Sequence, residues 1–308
     1  MLDPKSRGIV AKRVLFGKSA PFLRICFPIH SNHDTPPSSI APSAAKLTVM
    51  TNKLPVHTQQ DGITILTINR PEARNALDLE TMRAFSEAVA CLHDDPAQRV
   101  VIITGAGTEA FSSGADLHEL SSYPSAEDAR MMITIMGDAL FALEHLPIPV
   151  IAAINGYALG GGSELALACD LRIADNHARM GFVQAKMGLT TGWGAGQRLL
   201  RLVGYSRALD LLLSGHVMRA PELMNYGLVN RVVEMGTALN YAVNYAQHVA
   251  KLSTDVVRGM KSLLQTGLHH PYDDALQIER EFFPPLWAAE AHAQAVEAFL
   301  RRDRGTNR

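Results

Sequence analysis

The stretch Pro149-Val150-Ile151-Ala152-Ala153-Ile154-Asn155-Gly156-Tyr157-Ala158-Leu159-Gly160-Gly161-Gly162-Ser163-Glu164-Leu165 holds a strand, a turn and the start of a helix in one short run. Val150 to Ile154 is unbroken apolar sequence, which suits a strand buried on both faces. Asn155-Gly156 supplies a turn, and Gly162 to Cys169 reads as the following helix. A buried strand that feeds a helix in this way is the repeating unit of an α/β protein with a largely parallel sheet.

The same unit precedes it. Ile63 to Ile68 alternates as a strand does, and Asn69-Arg70-Pro71-Glu72 stops it with a turn. Asp78 is placed to cap a helix whose apolar face carries Leu79, Met82, Phe85, Val89 and Leu92. A second buried strand runs from Arg99 to Thr104, and the loop Gly105 to Ser113 leads into Gly114-Ala115-Asp116-Leu117-His118. A long helix is expected over Glu127 to His145, with Pro147 and Pro149 beyond its end. Downstream, Leu171 to Ala174 reads as a strand. From Ala238 to Leu300 there is helical periodicity without strand signals, so the C-terminal part should be helical and pack on the core or on a neighbouring subunit. The division expected is a core over residues 50–250 and a helical region over 251–308.

Composition narrows the function classes. The 308 residues are 47% hydrophobic, enough for a large core, and the formal charge of -1 creates no global field for nucleic acid or an anionic membrane. Apolar runs fall far short of the roughly 20 residues a membrane span needs, so a soluble protein is expected. Cys26, Cys91 and Cys169 are odd in number and widely spaced, which fits buried thiols in a reducing compartment. His269-His270 and the other histidines lack metal-ligand spacing, and no metal is expected. Residues 1–49 are basic, nearly free of acids and rich in Ser and Pro; they read as a disordered extension outside the fold, either a transit peptide or sequence upstream of a true start at Met50. The cytoplasm is the expected compartment, with the mitochondrial matrix as the alternative if that segment is a transit peptide.

Chemistry is suggested by two glycine turns, Ser113-Gly114-Ala115-Asp116 and Gly160-Gly161-Gly162-Ser163-Glu164, each following a strand and opening a helix. The first N–H groups of a helix lack intrahelical partners and sit at the positive end of its dipole, so together they favour an oxyanion. Either turn alone is common for packing reasons. Glu164 alone would be read as a carboxylate complementing the helix dipole, and Ser163 has no identifiable base to make it a nucleophile.

Taken together, Ala110-Phe111-Ser112-Ser113-Gly114-Ala115-Asp116-Leu117 and the stretch quoted first resemble the two signatures of the crotonase (enoyl-CoA hydratase/isomerase) superfamily. The resemblance extends to Asn69-Arg70-Pro71 and Tyr226-Gly227-Leu228-Val229, and covers residues 58 to 303. It implies a crotonase-like spiral of ββα units, assembled as a homotrimer or dimer of trimers, that acts on an acyl-CoA, with coenzyme A as part of the substrate and no permanently bound cofactor. By that resemblance Ala115 and Gly161 donate the oxyanion N–H groups, flanked by Gly114 and Gly160. Ala73, Arg74 and the segment Ala115 to His118, including Asp116 and Leu117, match positions that hold CoA; His118 stands where relatives often have lysine.

Glu164 matches the first of the two catalytic glutamates of the family's hydratases, and Gln184 falls at the second. A neutral amide cannot take a proton as a carboxylate can. The strings Phe182 to Gly188, Gly192-Trp193-Gly194 and Gln277 to Glu281 look closer to the ethylmalonyl-CoA decarboxylase branch, in which Trp193 would narrow the acyl pocket; alone, Trp193 reads equally as a core aromatic. Decarboxylation of a 2-carboxyacyl-CoA is therefore the first expectation, hydration of a 2-enoyl-CoA the alternative, and a non-catalytic CoA-binding or scaffolding subunit a third. Lys186 beside the site reads as an exposed charge.

Overall fold

The computed structural model describes residues 52–54, 56–58 and 61–306. The expected extension over residues 1–49, and Cys26 with it, lies outside the described residues.

Six strands form the larger sheet: β1 (Val56–Thr58), β2 (Ile63–Ile68), β3 (Val100–Gly105), β5 (Val150–Ile154), β7 (Leu171–Asp175) and β10 (Arg231–Val233), in the order β1-β2-β3-β5-β7-β10. All neighbours pair parallel except β1, which lies antiparallel to β2. A smaller sheet runs β4 (Ala110–Ser112), β6 (Tyr157–Leu159), β8 (Arg179–Gly181) and β9 (Val217–Arg219). After β1 and β2, which both join the larger sheet, three successive turns of the chain each contribute one strand to each sheet and then helix. β3 and β4 lead to α2 (Leu117–Leu120) and α3 (Ala126–Glu144), β5 and β6 to α4 (Gly161–Ala168), and β7 and β8 to α5 (Ala195–Val203). The expected ββα spiral is thus the observed fold.

Both faces of the larger sheet are covered, which is why every residue of β3 and β5 is buried. Alternate residues Ile63, Val100, Ile102, Ile151, Ala153 and Ile173 pack against Ala238, Ala242, Ala246 and Val249 of α8 (Ala238–Ala250). The intervening set, Leu66, Ile68, Val101, Ile103, Ala152 and Ile154, faces the main core with Met82, Phe85 and Val89 of α1 (Leu79–Asp94) and Met136, Leu140 and Leu143 of α3. Asp78 caps α1 as its sequence suggests, accepting from Thr81 N at 2.8 Å. α6 (Tyr205–Ser214) and α7 (Ala220–Asn225) link α5 to β10. After α8 the described chain is entirely helical: α9 (Thr254–His269), α10 (Tyr272–Trp287) and α11 (Glu290–Thr306). α9 is pinned to the core by Lys261, which reaches Asp170 at 2.7 Å and Ile148 O at 2.9 Å, whereas α10 buries no residue and leaves Phe283 and Trp287 exposed.

The smaller sheet has no counterpart in the sequence pattern. Its strands are three residues long, too short for an alternation to register, and α5 and α6 had no distinctive start signal, since each begins after a glycine that offers no side-chain cap. The segment that carries the first glycine turn is held by two asparagines. Asn155, which reads as a simple turn residue, exchanges hydrogen bonds with Gly105 in both directions (3.2 and 2.9 Å) and donates to Gly107 O at 2.8 Å. Asn75, in a left-handed conformation at φ 54°, donates to Ala110 O at 2.6 Å.

A second network ties this region to α1 and α2. Arg70 bonds Asp116 at 2.8 Å and approaches Asp78 at 3.5 Å, and Asp78 also holds Lys53 at 2.7 Å. Burial works against ionisation of Asp78 and Asp116, but the bonds from Lys53 and Thr81 to the first, and from Arg70 and the Glu119 N–H to the second, outweigh it and hold both carboxyls below the usual carboxylate range. Because the folded-state value is depressed, the associated stability is complete above the unfolded value of about 3.9 and disappears as pH falls through the folded one. Urea midpoints should therefore stay level from pH 7 to about pH 5 and fall steeply below about pH 4, and Asp116→Asn should flatten part of that fall. An unchanged acid limb in Asp116→Asn would remove Asp116 from this account.

Candidate active site

The two glycine turns meet. Gly114 has φ 91°, and a Cβ placed on it would lie 2.7 Å from the Gly161 nitrogen and 3.2 Å from its Cα, so only glycine lets the turns touch. Leu77 forms a parallel bridge to Ala115: its N–H donates to Gly114 O at 2.8 Å and its carbonyl accepts from Asp116 N at 2.9 Å. That pattern uses the groups on either side of Ala115 and leaves the Ala115 N–H on the opposite side of the strand. Gly161 is the first residue of α4, where an N–H has no intrahelical acceptor. Among the described residues neither N–H donates to a protein acceptor. Gly160 has φ 53° and ψ -117°, a conformation reserved for glycine, and its N–H is anchored on Gly181 O at 3.0 Å.

One helical turn into α4, Glu164 is 2% exposed. Its Oε1 accepts from Gln184 Nε2 at 2.9 Å and from Gly192 N at 3.2 Å; its Oε2 accepts from Trp193 N at 2.7 Å and from Ala195 N at 3.0 Å. An ionised carboxylate offers about four acceptor positions, and all are engaged. Since a carboxylate only accepts, the Gln184 amide must turn its NH2 towards it. The Gln184 Oε1 then lies buried without a protein donor, a costly arrangement that invites a ligand's O–H or N–H.

Trp193 forms the back of the site. The ring packs against Gly161, where a Cβ would overlap Cζ3 and stand 2.7 Å from Cη2, and the residue is 4% exposed within the main core. Ile133 of α3 faces the same loop, 3.4 Å from the Cβ position of Gly192.

Ala115, Gly114, Gly160, Gly161, Glu164, Gln184 and Trp193 are thus brought to one place. Ala73 and Arg74 sit alongside: Ser113 donates from N to Arg74 O at 3.0 Å, and its Oγ reaches Ala73 O at 3.5 Å. The Arg74 side chain is exposed near Glu109. Asp116 spends its carboxylate inside the protein, on Arg70 and on the N–H groups of His118 and Glu119 at the start of α2, while Leu117 and His118 are exposed there. Ser163 Oγ is committed to Ala158 O at 2.7 Å and Gly181 O at 3.0 Å, and Lys186 is exposed. Cys169 is buried, and burial pushes its thiol up to about 12, so it is no nucleophile; Cys91 is only half-buried. Among the described residues no group of three or more His, Cys, Asp or Glu could hold a metal ion, and no helix is long and apolar enough to cross a membrane.

A spiral of ββα units that brings two N–H groups without a protein acceptor, among the described residues, beside a caged carboxylate is the arrangement of this α/β protein. The enoyl-CoA hydratase/isomerase family model matches residues 58–305, and the chain belongs to that family, the crotonase superfamily. It is 37% identical over 245 residues to a short-chain-enoyl-CoA hydratase of Clostridium acetobutylicum, covering 79% of this chain and 93% of that protein. It is 33% identical over 239 residues to an ethylmalonyl-CoA decarboxylase of Xenopus laevis, covering 77% of this chain and 79% of the other. The crystal structure of an enoyl-CoA hydratase from Bacillus anthracis matches with a TM-score of 0.77 at 33% identity, over 81% of this chain and 96% of that one.

Proposed function

We propose that the protein acts on acyl-CoA thioesters and adds water to a 2-enoyl-CoA. The observation that carries this is the pair of adjacent Ala115 and Gly161 N–H groups, free to bind the thioester oxygen within reach of the Glu164–Gln184 pair. Water attacking C3 drives negative charge onto that oxygen, and each preorganised donor is worth roughly 2.7–4 kcal/mol there. Gln184 Oε1 accepts one water hydrogen; Glu164 Oε1 takes the other, replacing its longest bond, the 3.2 Å one from Gly192. Glu164 then returns a proton to C2. Ala73, Arg74 and the Leu117–His118 edge hold the CoA portion, and assembly as a homotrimer or dimer of trimers would cover Phe283 and Trp287.

Similarity is greater to the hydratases than to the decarboxylase, so the decarboxylation expected from local motifs takes second place. Two features favour it: an amide stands where the hydratases' second carboxylate is expected, and Glu164 is already fully bonded. Loss of carbon dioxide needs only the oxyanion donors and one proton source.

Mass spectrometry of the purified protein with crotonyl-CoA, ethylmalonyl-CoA and methylmalonyl-CoA decides between them. Hydration of crotonyl-CoA is expected, with kcat well below the roughly 10³ s⁻¹ of fast enzymes because one base is missing. Gln184→Glu should raise that rate about tenfold, less than a free base contributes, because two carboxyls in contact share a proton. Carbon dioxide loss alone would install the decarboxylase, and inertness towards all three would leave a CoA-binding or scaffolding subunit.

A further inference from the structure

The loop that cages Glu164 is itself held by a half-buried ion pair. Arg198, in the first turn of α5, is 8% exposed. Its Nε and Nη2 both donate to Oε2 of Glu144, at 3.1 and 2.8 Å, and its Nη1 donates to the Trp193 carbonyl at 2.7 Å. Glu144 is the last residue of α3, and its own carbonyl accepts from Gln265 of α9 at 2.6 Å. Gly194, at φ 99°, lets the chain pass: a Cβ there would stand 2.7 Å from Arg198 Nη1.

Trp193 therefore makes three connections at once. Its carbonyl is fixed by Arg198, its N–H by Glu164, and its indole seats against Gly161, one of the two oxyanion donors. A planar guanidinium can grip Glu144 and the carbonyl together because its N–H groups diverge at fixed angles; an ammonium cannot keep both.

We propose that Arg198 is a positioning residue: braced on Glu144, it sets the Trp193 turn and so holds the Glu164 carboxylate and the Gly161 N–H in register with each other. Among the described residues the side-chain hydrogen bonds of Arg198 go to Glu144 and the Trp193 carbonyl and to neither Glu164 nor Gly161, so its influence runs through the loop. The proposal rests on the functional reading above for its kinetic arm and on geometry alone for its spectroscopic one.

Two variants test it. Arg198→Lys keeps the charge beside Glu144 and loses the hold on Trp193; Glu144→Gln weakens the brace while Arg198 remains. With crotonyl-CoA, each should lower kcat about tenfold, a modest misplacement of reacting groups, and leave KM within about threefold, since the CoA contacts are elsewhere. Trp193 and Trp287 are the only tryptophans in the chain. In a Trp287→Phe background, Trp193 emission should shift to the red in both variants under conditions where circular dichroism and the unfolding transition show a native fold. A brace that only stabilises the fold would lower the unfolding midpoint and leave kcat and emission of the folded protein unchanged, and that result overturns the proposal. If the wild type turns over none of the thioesters, the functional reading fails, while unchanged emission would still sink the positioning role on its own.

Discussion

Gly161→Ala should lower kcat for crotonyl-CoA about 10²- to 10³-fold, the usual cost of losing one oxyanion donor, in a protein that still folds. The cause is steric and local. The new methyl would overlap Cζ3 of Trp193 and press on Cη2 and Cε3 at 2.7 and 2.9 Å. The indole has nowhere to go, being 4% exposed with both its backbone groups bonded, so the first turn of α4 must move instead and carry the donor N–H with it. Gly137→Ala is the control. That position lies inside α3 with open space around it, and alanine there should stabilise by about 0.5–1 kcal/mol with no kinetic effect. Steady-state kinetics and urea midpoints for both variants separate the outcomes, and a Gly161→Ala enzyme with wild-type kcat would remove Gly161 from the oxyanion site.

What could be read from the residues, and what could not, follows from the range of the forces involved. The strands over Ile63–Ile68 and Val150–Ile154 and the long helices are decided by hydrophobic periodicity within a window, and they stand where the pattern puts them. The smaller sheet is decided by contacts between successive turns of the spiral, so Ala110–Ser112 and Arg179–Gly181 carry no local signature. At the site, the glycine turns are legible because only glycine tolerates the approach, and the family motifs place Glu164 and Gln184. Three things are invisible in one dimension. These are the cage of N–H groups from residues 192 to 195, the orphaned oxygen of Gln184, and the grip of Arg198 on Glu144, which lies 54 residues away. The bond of the Asp116 carboxylate to Arg70, 46 residues back, has no local signature either.

The cage also gives Glu164 a double character. A carboxylate that accepts four hydrogen bonds is a structural knot: it fixes the loop that carries Trp193, and through the indole it fixes Gly161. The same group is, among the described residues, the only carboxylate bonded to Gln184. A substitution there therefore tests the geometry and the proposed chemistry together.

Glu164→Gln should abolish most turnover, by about 10²- to 10⁴-fold, the span a positioned acid–base group contributes. It should also cost stability, for a reason specific to this cage. An amide has one oxygen and one NH2, and it faces two pairs of donors. Turning its oxygen to Trp193 and Ala195 presents the NH2 to Gly192 and Gln184. Gln184 can rotate to offer its own oxygen, but the Gly192 N–H cannot, and one unsatisfied buried donor costs about 1–3 kcal/mol. A loss of turnover with a lowered but cooperative unfolding transition is therefore expected. Glu164→Asp keeps the charge, withdraws it from the loop, and should retain more activity than the amide if proton transfer dominates. Should Glu164→Gln fold with its turnover intact, Glu164 would be a structural knot only, and the proton would have to reach C2 from another donor.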